Sequence, residues 1–167
     1  ASDDPFRSVQ AGINFSSDDD SVTVAAGTYV ENINFRGRNI KVLGADRETT
    51  IIDGDSSGSV VIFSSGEDSS ALLNNFTIQN GSATNGGGIY CSANSSPTLS
   101  DLIILNNSAG SGGGMMLFNF SNPLIKNVIF IFIYFSFKHK FCGLCFQKYV
   151  RKARLYTSVM GQGFFLM

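Results

Sequence analysis

The chain has 167 residues, 43% hydrophobic and 15% charged, with 18 glycines, 3 prolines, 3 cysteines and no tryptophan. This is one domain by length and not a Pro-rich disordered chain; no apolar run approaches the ~20 residues that a membrane-spanning helix needs. Residues 1–130 hold all 13 acidic residues and 6 of the 12 basic ones, a net 6 − 13 = −7, which disfavours nucleic acid as a partner.

No targeting signal stands at Ala1, as expected of a mature chain after signal removal or of a fragment. Asp3-Asp4-Pro5 reads as a helix start, with an acidic N-cap and proline at the first helical position. Phe6, Val9 and Ile13 follow at helical spacing. The pattern predicts a short amphipathic helix within residues 1–20 that caps the open end of a core.

Ser21-Val22-Thr23-Val24 alternates as a strand and Ala26-Gly27-Thr28-Tyr29 turns. Ile33 with Phe35, and Ile40 with Val42, are two more alternating pairs, and Thr50-Ile51-Ile52-Asp53-Gly54 is a strand running into a turn. From Ala71 to Phe130 the chain repeats itself. Gly86-Gly87-Gly88-Ile89 lies over Gly112-Gly113-Gly114-Met115, an offset of 112 − 86 = 26. The same offset sets Leu73 under Leu99, Phe76 under Leu102, Ile78 under Ile104, Pro97 under Pro123, Leu99 under Ile125, Leu102 under Val128, and Phe63 under Ile89. A period in the 20–50 range marks a solenoid, and apolar runs this short between Gly, Ser, Asn and Asp are strands.

The expected fold is therefore all-β: a parallel β-helix over residues 21–130, of about four or five coils with rungs about 4.8 Å apart. An irregular β-sandwich would not keep a gapless register. The expected inward set is Leu73, Phe76, Ile78, Ile89, Leu99, Leu102, Ile104, Met115, Leu117, Ile125, Val128 and Phe130. Cys91, over Ser65 and under Leu117, is expected to be a buried thiol, and Asn80 and Asn106 to stack as amides. Before Ala71 the register fades, because it would put Arg47 under Leu73.

Val22 to Ile33, then Asn39-Ile40-Lys41-Val42-Leu43-Gly44, then Thr50 to Gly54, resemble the front end of pectin methylesterases and the wider pectate-lyase-like group of right-handed parallel β-helices. Gly87-Gly88-Ile89 and Ile104-Leu105-Asn106-Asn107 resemble the polymorphic outer-membrane-protein repeat of bacterial surface adhesins. The resemblance spans about residues 5 to 130 and implies a right-handed helix. It does not bring the activity with it: the esterase motifs Gly-x-Gln-Asp-Thr and Asp-Phe-Ile-Phe-Gly have no match here.

The residues alone point the same way. Beyond Asp68 the only acidic residue is Asp101, and no arginine lies between Arg47 and Arg151. A glycosidase needs paired carboxylates, and a lyase needs a base beside a cation; neither set assembles from adjacent coils. No catalytic, cofactor-binding or metal residue is therefore assigned, and no cofactor. Asp18-Asp19-Asp20 and Asp53-Gly54-Asp55 read as solvated turns before they read as calcium sites. Cys142-Gly143-Leu144-Cys145 with His139 is short of a zinc set. Asn14, Asn75, Asn80, Asn94, Asn106 and Asn119 each begin an Asn-x-Ser/Thr triplet, which an Asn- and Ser-rich chain also makes by chance.

Residues 131–167 are an atypical basic aromatic tail. They hold 10 of the 20 Phe and Tyr residues and the other six basic residues, Lys138, Lys140, Lys148, Arg151, Lys152 and Arg154. Where the repeat calls for a turn, the chain has Phe132-Ile133-Tyr134. Three readings stand: a C-terminal cap, with Val128–Phe137 continuing as a strand and Gln147–Leu155 as a short basic helix; a membrane-surface segment; or polypeptide foreign to the repeat. The abrupt change favours the last reading, and the tail is expected to lack the 26-residue coil geometry and to pack loosely, if at all.

The functional expectation is a non-catalytic, secreted or cell-surface β-helix module for adhesion or carbohydrate contact, its partner a polysaccharide or a host or neighbour cell surface. The alternative is a truncated fragment of a polysaccharide-active enzyme, an esterase, lyase or glycosidase, without its catalytic coils.

Overall fold

The computed structural model describes residues 6–133 and 153–158; residues 132, 133 and 153–158 are described by their backbone alone. Apolar runs broken every few residues by turn formers cannot bury themselves within one layer, so each run stacks on its copy in the next coil. Four coils result. The first holds β1 (Ser21–Val24), β2 (Gly27–Val30) and β3 (Ile33–Asn34); the second β4 (Lys41–Gly44), β5 (Thr50–Asp53) and β6 (Val61–Phe63). The third holds β7 (Leu72–Gln79), β8 (Ser82–Asn85) and β9 (Ile89–Cys91); the fourth β10 (Thr98–Leu105), β11 (Ser108–Ser111) and β12 (Met115–Leu117). β13 (Leu124–Lys126) and β14 (Val128–Ile133) begin a fifth, and β15 (Ala153–Ser158) lies beyond them.

The named strands pair in parallel. Sheet A runs β1-β4-β7-β10-β14-β15, with β2 and β5 joining through β7 and β13 through β10; sheet B is β3-β6-β9-β12, and sheet C is β8-β11. The protein is a parallel β-solenoid. The period of 26 holds through Leu73–Leu99–Ile125 and Ile78–Ile104–Phe130 in sheet A and through Ile89–Met115 in sheet B.

The triple glycines have separate reasons. Gly86 and Gly112 turn the corner at φ +59° and +66°, where a side chain is strained. Gly87 and Gly88 are packed so closely that a Cβ on either would overlap a carbonyl of the next coil, Ser108 above one and Gly114 above the other.

Of the expected inward set, Leu73, Phe76, Ile78, Ile89, Leu99, Leu102, Ile104, Ile125, Val128 and Phe130 are buried. Met115 and Leu117 are only partly buried; among the described residues no strand stacks on β12. Phe35 and Phe63 stack in the lumen with ring centroids 4.2 Å apart.

One register assignment needs correction, and the fading of the register before Ala71 has a structural cause. Val61 pairs with Ile89, and Phe63 with Cys91, at an offset of 28. Phe63 therefore does not lie under Ile89, nor Ser65 under Cys91, because the chain from Gln79 to Ile89 is two residues longer than that from Asp53 to Val61. The register does fade before Ala71, as expected: Val42 lies under Leu73, at an offset of 31. Ile51–Thr77 and Ile52–Ile78 then return to 26. The five surplus residues, Ala45 to Thr49, leave the sheet as a loop, and the Arg47 carbonyl accepts the Thr77 hydroxyl at 2.6 Å.

The N-terminal helix, α1, spans Val9–Phe15 and is capped by the Ser8 side chain on Ala11 N–H. Asp3-Asp4-Pro5 lies outside the described residues, and the helix starts at Val9 rather than at Pro5. Val9 and Ile13 are buried and Phe6 is exposed, so the helix covers the first coil as expected. Glu31 secures it from β2 side, its two carboxylate oxygens accepting Val9 N–H at 2.8 Å and Gln10 N–H at 2.9 Å. A negative group at a helix N-terminus faces the positive end of the backbone dipoles.

β14 runs on to Ile133, so Phe132-Ile133 is strand where the repeat has the turn Asn106-Asn107. β15 pairs with β14 from Val128↔Ala153 to Ile133↔Ser158. Ala153–Leu155 is thus strand and not the end of a basic helix, because Leu155-Tyr156-Thr157 is β-prone and β14 offers an edge. This part of the tail, expected to lack coil geometry, adds a parallel strand to sheet A at an offset of 153 − 128 = 25 rather than 26. Gln147–Lys152 lies outside the described residues. No helix among the described residues is long and apolar enough to cross a membrane.

Candidate functional site

Side chains that alternate with the inward set face out, and on sheet A they form polar columns one rung apart. Asn75, Asp101 and Asn127 stand in one column, each left-handed, at φ +62°, +53° and +49°. Asn and Asp tolerate this conformation better than other non-glycine residues. The bend they make parts the stretch that stacks on Val42 from the stretch that stacks on Ile52. Asp101 is held from both sides: its Oδ2 accepts Asn74 Nδ2 at 3.1 Å and its Oδ1 accepts Asn127 Nδ2 at 2.6 Å. Asn74 Nδ2 also donates to Ser100 Oγ at 2.7 Å.

Asp53, at the end of β5, is held in the same manner. Its Oδ2 accepts Gln79 Nε2 and Asn80 Nδ2, each at 2.8 Å, and its Oδ1 accepts Asp55 N–H at 3.0 Å. Partial burial alone would raise its pKa; the hydrogen bonds from Asp55, Gln79 and Asn80 outweigh that and hold it below the usual carboxylate range.

The two carboxylates do not form a pair. Asp53 pairs with Gln79, and Gln79 with Leu105, so Asp53 and the strand of Asp101 are two rungs, about 10 Å, apart. Asp101 is displaced by a further 105 − 101 = 4 residues along that strand. Paired glycosidase carboxylates lie within roughly 5–9.5 Å.

The other carboxylates singled out in the sequence hold turns. Asp18 Oδ1 accepts Asn39 N–H and Asp20 Oδ2 accepts Ser17 N–H, each at 2.8 Å. Among the described residues, no three His, Cys, Asp or Glu side chains converge as a metal would require. His139, Cys142 and Cys145 lie outside the described residues. The Asn80 amide serves Asp53 and does not form a ladder with Asn106. It is Asn107 that ties the coils, accepting Gly81 N–H at 2.7 Å and donating to the Ile78 carbonyl at 2.9 Å. Asn14, Asn94, Asn106 and Asn119 are exposed; Asn75 and Asn80 are half-buried.

Glu67 carried no periodic signal among Ser64, Ser65 and Gly66, and only the folded chain gives it a role. It is fully buried. It accepts Gly37 N–H at 2.8 Å, Ser65 N–H at 3.0 Å and Ser95 Oγ at 2.7 Å. It thereby joins the corners of coils one, two and three. Cys91 is buried as expected, and burial, with the Glu67 charge second, pushes its thiol far up; the thiol is a packing group and not a nucleophile. Arg47 Nη1 is buried without a hydrogen-bond partner.

No protein-family model, curated protein or solved structure matches the chain.

Proposed function

We propose that the chain is a non-catalytic, secreted or cell-surface β-helix module for adhesion or carbohydrate contact, with a polysaccharide or a cell surface as partner, and that its kinship lies with the right-handed, pectate-lyase-like helices. The observation that carries the reading is the outer face of sheet A. Amide and carboxylate groups from Asn74, Asp101 and Asn127 are held by one another, and Asn75 stands one rung below Asp101. A face of fixed donors and acceptors matches a polyhydroxylated chain, which offers the same groups at regular intervals.

Affinity electrophoresis of the chain through gels containing neutral and acidic polysaccharides tests this. Retardation by at least one of them is the expected result; migration unchanged in all of them overturns the reading. The enzyme-fragment alternative predicts cleavage or de-esterification of pectin that is lost on Asp53→Asn or Asp101→Asn. The separation and pinning of these two carboxylates argue against it.

A further inference from the structure

We propose that the fourth-coil corner between β12 and β13, residues Phe118 to Leu124, is a stacking site for a neutral pyranose chain. The proposal rests on the carbohydrate-contact reading above and gives it a location separate from the polar columns of sheet A.

The repeat supplies its own control. Leu117 pairs with Cys91 and Leu124 with Thr98, so the coil below sets Ser92, Asn94 and Thr98 where this corner has Phe118, Phe120 and Leu124. Three polar positions have become large and apolar together, and the first of them, buried as Ser92 in the coil below, is exposed here as Phe118. Nothing in the core asks for this: Phe118 is 56% exposed and Phe120 88%. Phe120 also sits at φ +61°, the conformation that Asn94 adopts one rung below. An exposed aromatic held left-handed costs conformational energy that a glycine or asparagine would avoid, and such strain concentrates at ligand contacts.

The polar surroundings fit the same ligand. Ser95 in the coil below donates to Glu67 and to the Ser92 carbonyl; its counterpart Ser121 has a buried Oγ with no hydrogen-bond partner. Asn119 and Asn122 are exposed beside it. Exposed apolar side chains flanked by the amides of Asn119 and Asn122 match a pyranose ring, whose C–H face is apolar and whose edge carries hydroxyls. No ionisable residue lies between Phe118 and Ile125, and residues 1–130 carry −7. The corner therefore offers a uronate chain no counter-charge, and a neutral chain needs none.

The test is titration of the full chain with cellohexaose, following the sugar ring protons by NMR. The variant is Phe118→Ser combined with Phe120→Asn, which installs the residues of the rung below and so keeps the corner foldable. Ring-current shifts of the sugar protons with the wild-type chain, insensitive to added salt, and binding weakened at least about tenfold in the double variant are expected, a change worth about 1.4 kcal/mol. Glycan binding that persists in the double variant overturns the corner assignment and leaves the carbohydrate reading standing. No binding of any neutral glycan by the wild-type chain overturns the corner assignment; failure with acidic polysaccharides as well overturns both. Concentration-dependent self-association abolished by the same two substitutions would make the corner a protein contact and overturn the proposal.

Discussion

Ser95 Oγ lies 2.7 Å from Glu67 Oε2, across one rung, with both residues fully buried. Burial opposes the charge on Glu67, yet donors from Ser65, Ser95 and Gly37 outweigh it, and the carboxyl titrates below its ordinary value of 4.5. A folded pKa below the unfolded one means that the unfolded chain takes up more protons on acidification. The stabilisation is thus complete above about pH 4.5 and is lost as pH falls through the folded value. Urea midpoints measured from pH 7 down to pH 3 should fall below about pH 5, in part through this group. Glu67→Gln should lower stability at pH 7 by about 2 kcal/mol, since its amide would turn a donor toward backbone N–H groups. It should also flatten the acid limb. An unchanged limb would mean that Glu67 is not the titrating group.

The loop from Ala45 to Thr49 is an insertion into an otherwise regular sheet, and its removal restores the repeat. With those five residues excised, Val42 would stand 26 residues before Leu73, Gly44 would take the place of left-handed Asn75, and Thr50 would lie under Phe76. Glycine adopts that conformation without strain, and Thr50 is already buried. The excised chain should keep its circular dichroism spectrum and lose about 1–3 kcal/mol, because Thr77 Oγ1 loses the Arg47 carbonyl and Gly27 N–H loses the Thr49 carbonyl. A collapse of the strand signal would show that the loop is needed for β4 and β5 to pair with β7.

Depth in the stack should set the cost of truncation. Leu99 is sandwiched between Leu73 and Ile125 and is fully buried, whereas Leu117 lies on the terminal rung of sheet B and is only partly covered. Leu99→Ala should cost about 3–4 kcal/mol, the range for a buried leucine whose neighbours cannot collapse. Leu117→Ala should cost about half as much or less. Equal losses in thermal unfolding would imply that β12 is covered as fully as β10.

What was legible in the sequence was the part governed by stacking. Where Leu73, Leu99 and Ile125 recur without gaps, each inward position is repeated by identical geometry, and the offset of 26 reads directly as register. Before Ala71 the same sheets are built, but with offsets of 20, 23, 28 and 31. Corners can absorb extra residues at little cost, so a fixed period misplaced Phe63 although its strand was identified. Glu67 and Glu31 were illegible for another reason. Each acts through backbone N–H groups 21 to 30 residues away, and a backbone donor leaves no mark in the amino-acid sequence. Asn80 stands one rung from Asn106, as the offset of 26 requires, but Asp53 took its amide and no ladder forms.

Phe120 sets conformational strain against exposure. Its φ of +61° is a conformation that disfavours a bulky residue by about 1–2 kcal/mol. At 88% exposure it recovers almost nothing by packing. Phe120→Asn should therefore stabilise the chain by about 1 kcal/mol, because asparagine already holds the same turn at Asn94 with φ +61°. Phe120→Ala should gain less, since alanine shares the left-handed penalty. Denaturant unfolding of the three chains orders them, and a loss of stability in Phe120→Asn would show that the ring makes contacts its exposure does not suggest. If the substitution both stabilises the fold and weakens cellohexaose binding, the strain at Phe120 is the cost of presenting an aromatic ring to a ligand.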